Sequence, residues 1–281
     1  MILTIITINF NNAIGLGKTL NSVASQTCKD FEHVIVDGGS TDGGVEMIRW
    51  YSLGLGNRVK WISEPDKGIY NAMNKGIRLA NGDYLQFLNS GDCLVSDDVT
   101  DKMLKVLKRN DYPSILYGNM LKEMPNSIIR DKCFAGKEMT LLGFYVGTLN
   151  HSPSYIRKDL FDKYGLYDES LKIVSDWKWF LQAIVLGEEK PVYTGIDVTL
   201  FNMCGISETN KELNNSERKK VLDELIPQAI LEDYNRWSFP IEQMKRLKRH
   251  PWAYKLVWFI ERCLFKSEKH HLKRIQEREY R

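Results

Sequence analysis

The 281-residue chain has 43% hydrophobic and 27% charged residues, the balance of a soluble globular protein of one large domain with an appendage. Its five cysteines, Cys28, Cys93, Cys133, Cys204 and Cys263, lie far apart with no CxxC, which argues against a disulfide framework or zinc site and fits a reducing, cytoplasmic setting. The net charge of +3 is unevenly placed, because residues 245–281 hold twelve Lys and Arg against four Glu and the rest is net acidic by five.

The first half alternates strands and helices. "ILTIITINF" is a continuous apolar run, as in a strand covered on both faces. It has neither the basic n-region nor the cleavage site of a signal peptide. Residues 13–26 place Leu16, Leu20 and Val23 at helical spacing. "FEHVIVD" is a second strand ending in Asp37, and Thr41-Asp42 stands where a helix cap belongs. "RVKWISE" is a third strand. "DKGIYNAMNKGIRLANG" is a loop and a helix closed by Gly82. "DYLQFL" is a fourth strand, residues 97–109 a helix, and "SILYGNM" a fifth strand. This alternation predicts an α/β fold with a mostly parallel sheet.

The second half is less regular. Residues 119–150 read as hairpins and loops, "SDWKWFLQAIVLG" as a helix ended by Gly187, and "PVYTGIDVTLFNM" as a pair of strands. Residues 213–235 and 240–278 read as charged helices broken at Pro240 and Pro251. No apolar run reaches bilayer-spanning length.

Ligands of parallel sheets bind at the C-terminal ends of the strands. Three such ends carry polar groups: Asn9 with Asn11, Asp37, and the turn Asn89-Ser90-Gly91-Asp92. A competing phosphate site is "NAIGLGKT", which nearly matches GxxxxGK[ST] but has Asn12 where the mechanism needs a glycine, so a phosphate-loop NTPase is a minor alternative.

Taken together, several motifs resemble the family 2 inverting glycosyltransferases of the GT-A fold, over roughly residues 1–205. They are Phe10-Asn11 after the first strand, Ser22-Val23 with Gln26-Thr27, Asp37 through Asp42, Gly68 through Gly76, Gly82-Asp83-Tyr84 and Gly91-Asp92. The resemblance implies transfer of a sugar from a nucleotide-diphosphate sugar, a UDP-sugar being favoured, to a hydroxyl of a surface or polyprenyl-linked glycan. Asp92 then matches the ligand of a divalent cation, Mn²⁺ or Mg²⁺, which prefers hard oxygens. Asp37 matches the carboxylate that contacts the nucleoside. Asn9, Asn11, Asn89 and Gly91 line the same edge, and Asp66 and Lys67 lie in a loop within reach of the donor.

Asp176, at the start of the "SDWKWFL" helix, matches the general base. His151 and Trp177 are candidates for the acceptor or phosphate side. Two positions depart from the pattern: Gly38 and Gly91 each stand where many members carry an acid. Met73 replaces a frequent arginine, and Lys75 and Arg78 read as solvated surface. The missing acids leave a catalytically silent sugar-nucleotide or glycan-binding protein as the alternative.

Residues 206–281 read as a helical extension. Its stretch 245–281 mixes basic residues with Trp252, Trp258, Phe259 and Phe265. Such a segment either lies in an anionic membrane surface, on the inner face of the plasma membrane, or packs on the domain. No nucleic-acid recognition module accompanies the charge.

Overall fold

The computed structural model describes residues 2–124, 126–202 and 210–279; the expected boundary at 205/206 falls outside them. Two compact units emerge, Met1–Val221 and Leu222–Arg281.

The first unit is built on one sheet. Its strands are β1 (Leu3–Asn9), β2 (Phe31–Asp37), β3 (Val59–Ser63), β4 (Tyr84–Phe87), β5 (Cys93–Leu94), β6 (Ile115–Met124), β7 (Ser127–Asp131), β8 (Ser154–Arg157) and β9 (Val192–Phe201). The order is β3-β2-β1-β4-β8-β6-β9-β5, with β7 paired to β6. β1 to β4 are mutually parallel, and β6 and β9 share their direction; β5, β7 and β8 run against them. β1 and β2 are buried at every residue, which is why β1 reads as an apolar run; Glu32 and His33 of β2 are buried against Thr4 and Thr7 of β1.

Helices α1 (Ala13–Ala24), α2 (Gly44–Leu55), α3 (Ile69–Leu79) and α4 (Val99–Arg109) connect the early strands, followed by short α5 (Leu141–Val146), α6 (Asp159–Tyr164) and α7 (Ser175–Phe180). A π-helical turn, Leu181–Leu186, extends α7 to Gly187. Leu16 and Leu20 of α1 pack with Ile35 and Ile48, while Met103, Leu104 and Leu107 of α4 join Leu3, Ile5 and Leu88 in a second cluster. Two glycines allow α3 and the chain after it to close on β1. A Cβ on Gly76 would lie 2.5 Å from Ile6, and one on Gly82 would lie 2.6 Å from the Thr4 nitrogen.

Two expected breaks are absent. Residues 192–201 form a single strand, not a pair: Gly195, at φ 72°, absorbs a register irregularity against β6 where a turn was expected. Helix α9 (Gln228–Lys248) runs through Pro240. A proline's fixed φ is helical, so it removes one hydrogen bond without forbidding the backbone. The remaining helices are α8 (Lys211–Leu225), which ends beyond Val221, and α10 (Pro251–Glu279).

Candidate active site

The C-terminal edge of β1, β2 and β3 sets Asn9, Asp37 and Ser63 in one register row. Asp37 is fully buried and its carboxylate is saturated. Oδ1 accepts from Asn9 Nδ2 at 2.8 Å and Ser40 Oγ at 2.6 Å. Oδ2 accepts from the Gly39 and Ser40 amides and, at 2.7 Å, from Ser63 Oγ. Burial alone would raise its pKa, but the bonds from Ser40, Ser63 and Asn9 outweigh burial and hold it below the usual carboxylate range. Asn11, at φ 47°, bridges to the same loop through Ser40 Oγ and the Thr41 amide. Asp42 caps both neighbouring helices, accepting from the Ala13 and Gly44 amides.

The segment "GLGKT" lies within α1, whose N-cap is Asn12, accepting from the Gly15 amide at 3.1 Å. Its backbone N–H groups therefore enter a helical ladder instead of wrapping a phosphate, and the phosphate-loop reading is withdrawn. Thr19 of that segment has another role. Its buried hydroxyl donates to the Asp92 carbonyl at 2.7 Å and accepts from the Gly91 amide at 2.9 Å, fixing the turn that presents Asp92. Gly91 sits at φ 107°, a conformation that disfavours the carboxylate residue many members carry there.

Asp92 is the opposite of Asp37. It is 4% exposed and, among the described residues, receives a single hydrogen bond, from the Asn202 amide at 3.0 Å. Burial pushes its pKa up to about 7, against that bond. In the same turn, the buried Asn89 Oδ1 has no hydrogen-bond partner among the described residues. An under-satisfied carboxylate and an orphaned amide oxygen are hard oxygen ligands, and they fit a divalent cation. Among the described residues no three His, Cys, Asp or Glu side chains converge.

The first missing acid has a steric counterpart. A Cβ on Gly38 would lie 2.9 Å from Asp66 Oδ2. The Asp66 carboxylate thus fills the space above Gly38 from the next loop. Lys75 is not solvated surface: its ammonium pairs with Asp66 and Glu64, each at 2.8 Å, and holds Asp66 there. Lys67 and Arg78 are exposed.

Asp176 lies in the first turn of α7. The hydroxyl of Tyr70, in the first turn of α3, shares its one proton between Asp176 Oδ1 at 2.8 Å and the Ile173 carbonyl at 2.5 Å. α3 begins beyond the C-terminal end of β3, so this contact sets Asp176 at the sheet edge that holds the other acids. Asn74 clamps the preceding loop through the Tyr167 amide and carbonyl, and it shares the Glu169 carboxylate with Asn71. From α8, the buried Glu217 accepts from the amides of Lys172, Ile173 and Val174. The next residue, Arg218, lies over the Trp177 ring at 4.7 Å.

His151 and Trp177 have core partners. His151 stacks on Phe87 at 4.6 Å and bonds Tyr167 Oη at 2.7 Å; burial lowers its pKa, against the opposing charge of Asp176. Trp177 is 2% exposed, and its indole donates to the Phe144 and Gly147 carbonyls. The structure therefore brings Asn9, Asn11, Asp37, Asp66, Asn89, Gly91, Asp92 and Asp176 to one edge and embeds Trp177 beneath Arg218. Sequence reading missed Thr19, Tyr70, Glu217 and Arg218, whose partners lie tens of residues away and leave no local spacing signal.

The model of the family described as "Glycosyl transferase family 2" matches residues 4–165. A PGL/p-HBAD biosynthesis glycosyltransferase of Mycobacterium bovis is 28% identical over 72% of this chain and 77% of its own. An uncharacterized glycosyltransferase of Mycobacterium tuberculosis is 33% identical over 72% of this chain and 76% of its own. Among solved structures, S. aureus TarS 1–349 in complex with UDP-GlcNAc superposes with TM-score 0.62 at 19% identity, covering 82% of this chain and 69% of that one. The Pyrobaculum calidifontis mannosyltransferase PcManGT, in complex with GDP-Man and Mn²⁺, gives TM-score 0.62 at 17% identity, covering 91% and 78%. The sheet, the acidic edge and these likenesses agree on a GT-A-type fold, and the chain belongs to glycosyl transferase family 2.

Proposed function

We propose that this glycosyltransferase moves a sugar, with inversion, from a nucleotide-diphosphate sugar to a hydroxyl of a lipid-linked or surface glycan. The observation that carries the reading is the pairing of two differently tuned acids on one sheet edge: saturated Asp37 and under-satisfied Asp92, with Asp176 held on the same edge by Tyr70. Asp37 with Asn9 and Asn11 shapes the nucleoside end, and Asp66 supplies there the carboxylate that Gly38 lacks. Asp92 and Asn89 would hold a divalent cation, with Mn²⁺ favoured by the PcManGT likeness. Such a cation neutralises charge on the leaving diphosphate.

The chain's own residues handle the proton. Asp176 Oδ1 is occupied by Tyr70, which leaves Oδ2 for the acceptor hydroxyl. As the acceptor oxygen bonds to the anomeric carbon, its proton passes to Asp176 and the bond to the diphosphate oxygen breaks. The glycan-bearing product and a nucleoside diphosphate result.

TarS is complexed with UDP-GlcNAc and PcManGT with GDP-Man, so the test spans both nucleotides. UDP and GDP, each with Mn²⁺ or Mg²⁺, are screened for thermal stabilisation, and the matching sugar nucleotides for hydrolysis. Stabilisation with cation-dependent hydrolysis is expected; stabilisation without hydrolysis would favour the silent binder.

In its own unit, α10 exposes Trp252, Leu256, Phe259, Leu264 and Phe265, each more than half accessible, on a chain segment rich in Lys and Arg. No described helix is long and apolar enough to cross a membrane. We assign α10 to an interfacial position on an anionic lipid surface.

A further inference from the structure

We infer that Arg218 is an anion-binding residue of this site, whose guanidinium takes a phosphoryl group of the reactants. The inference rests on the transferase reading above. Arginine presents five N–H donors. Here one of them, on Nη1, reaches the Gly147 carbonyl at 3.0 Å. The buried Nε has no hydrogen-bond partner among the described residues. No described carboxylate oxygen comes within 4.0 Å of the guanidinium. A half-buried guanidinium with an unpartnered Nε and no described carboxylate in ion-pair contact keeps donors open to an incoming anion.

The guanidinium is held in place in advance by Trp177 and the Gly147 carbonyl. It lies over Trp177 at 4.7 Å, and Trp177 is itself anchored by two carbonyls. A planar fork held this way suits the paired oxygens of a phosphate. The Asp176 charge acts on Arg218, so the fork lies within electrostatic reach of the proposed base. Burial lowers the pKa of Arg218, while the charge of Asp176 opposes this. Glu217, one residue earlier, ties α8 to the loop before Asp176 through three amides, so α8 delivers the cation to a fixed place. The reaction offers two sources of a phosphoryl anion: the donor diphosphate and a phosphate carried by a lipid-linked acceptor.

The full chain is compared with Arg218→Met, which keeps the apolar length over Trp177, and with Arg218→Lys, which keeps the charge. Calorimetric affinities are measured with Mn²⁺ for three probes: the nucleoside diphosphate bound by the wild type, its free nucleoside, and farnesyl monophosphate in detergent. Unliganded thermal midpoints control for folding. If the donor is the source, Arg218→Met weakens the nucleoside diphosphate by roughly tenfold or more and leaves the free nucleoside unchanged, with Arg218→Lys in between. If the acceptor is the source, the loss falls on farnesyl monophosphate instead. Unchanged affinity for both phosphorylated probes overturns the inference, as does an equal loss for the free nucleoside. A wild type that binds no nucleoside diphosphate removes the transferase reading, and this inference with it.

Discussion

Asp37 and Asp92 stand at the ends of β2 and of the turn after β4, on either side of β1, both buried, yet their surroundings drive them in opposite directions. Five donors hold Asp37 ionised. Its folded-state pKa is depressed, so its contribution is present above the ordinary value of 3.8 and is lost as pH falls through the folded value. Asp37→Asn should cost about 1–3 kcal/mol at neutral pH, since an amide nitrogen would meet donors, and the difference should shrink in strong acid. Urea denaturation at the two pH values measures it; a constant difference would contradict the assignment. Asp92 has one donor among the described residues and a raised pKa, so its ionised form destabilises the cation-free fold above neutrality. Asp92→Asn should therefore match or exceed the wild-type thermal midpoint at about pH 8 without metal. It should also lose the extra stabilisation that Mn²⁺ gives with a nucleoside diphosphate. Retention of that response would exclude Asp92 as the cation ligand.

At the scale of elements, the base is a product of three helices. α3 gives Tyr70, Asn71 and Asn74, α7 gives Asp176, and α8 gives Glu217. Glu217→Gln removes a charge-assisted acceptor from three amides and should cost about 1–3 kcal/mol. It should lower turnover while leaving nucleoside diphosphate affinity unchanged; equal loss of both would assign Glu217 to general folding. This clamp shows where the sequence was readable. Asn9, Asp37 and Asp92 were legible because apolar runs mark buried strands and polar residues at their ends mark the binding edge. The partners of Asp176 were not, because Tyr70 lies 106 residues before it and Glu217 lies in a helix that read only as charged surface. Gly195 and Pro240 misled for a related reason. Each is a local breaker, and the surrounding strand or helix absorbed it as a bulge or a single lost hydrogen bond.

At the scale of the whole molecule, charge is divided between an acidic body and a basic, aromatic-rich end. Charge and exposed rings on α10 together predict binding to anionic phosphatidylglycerol vesicles that weakens with salt. Replacing Trp252 and Phe259 with alanine should lower co-sedimentation several-fold, and no change would remove the interfacial assignment. The most direct test of the account is donor hydrolysis by wild type and Asp176→Asn, with cation present and the sugar nucleotide that the wild type accepts. The account predicts a rate lower by roughly a hundredfold or more in Asp176→Asn with nucleoside diphosphate affinity intact. Hydrolysis at the wild-type rate would contradict it.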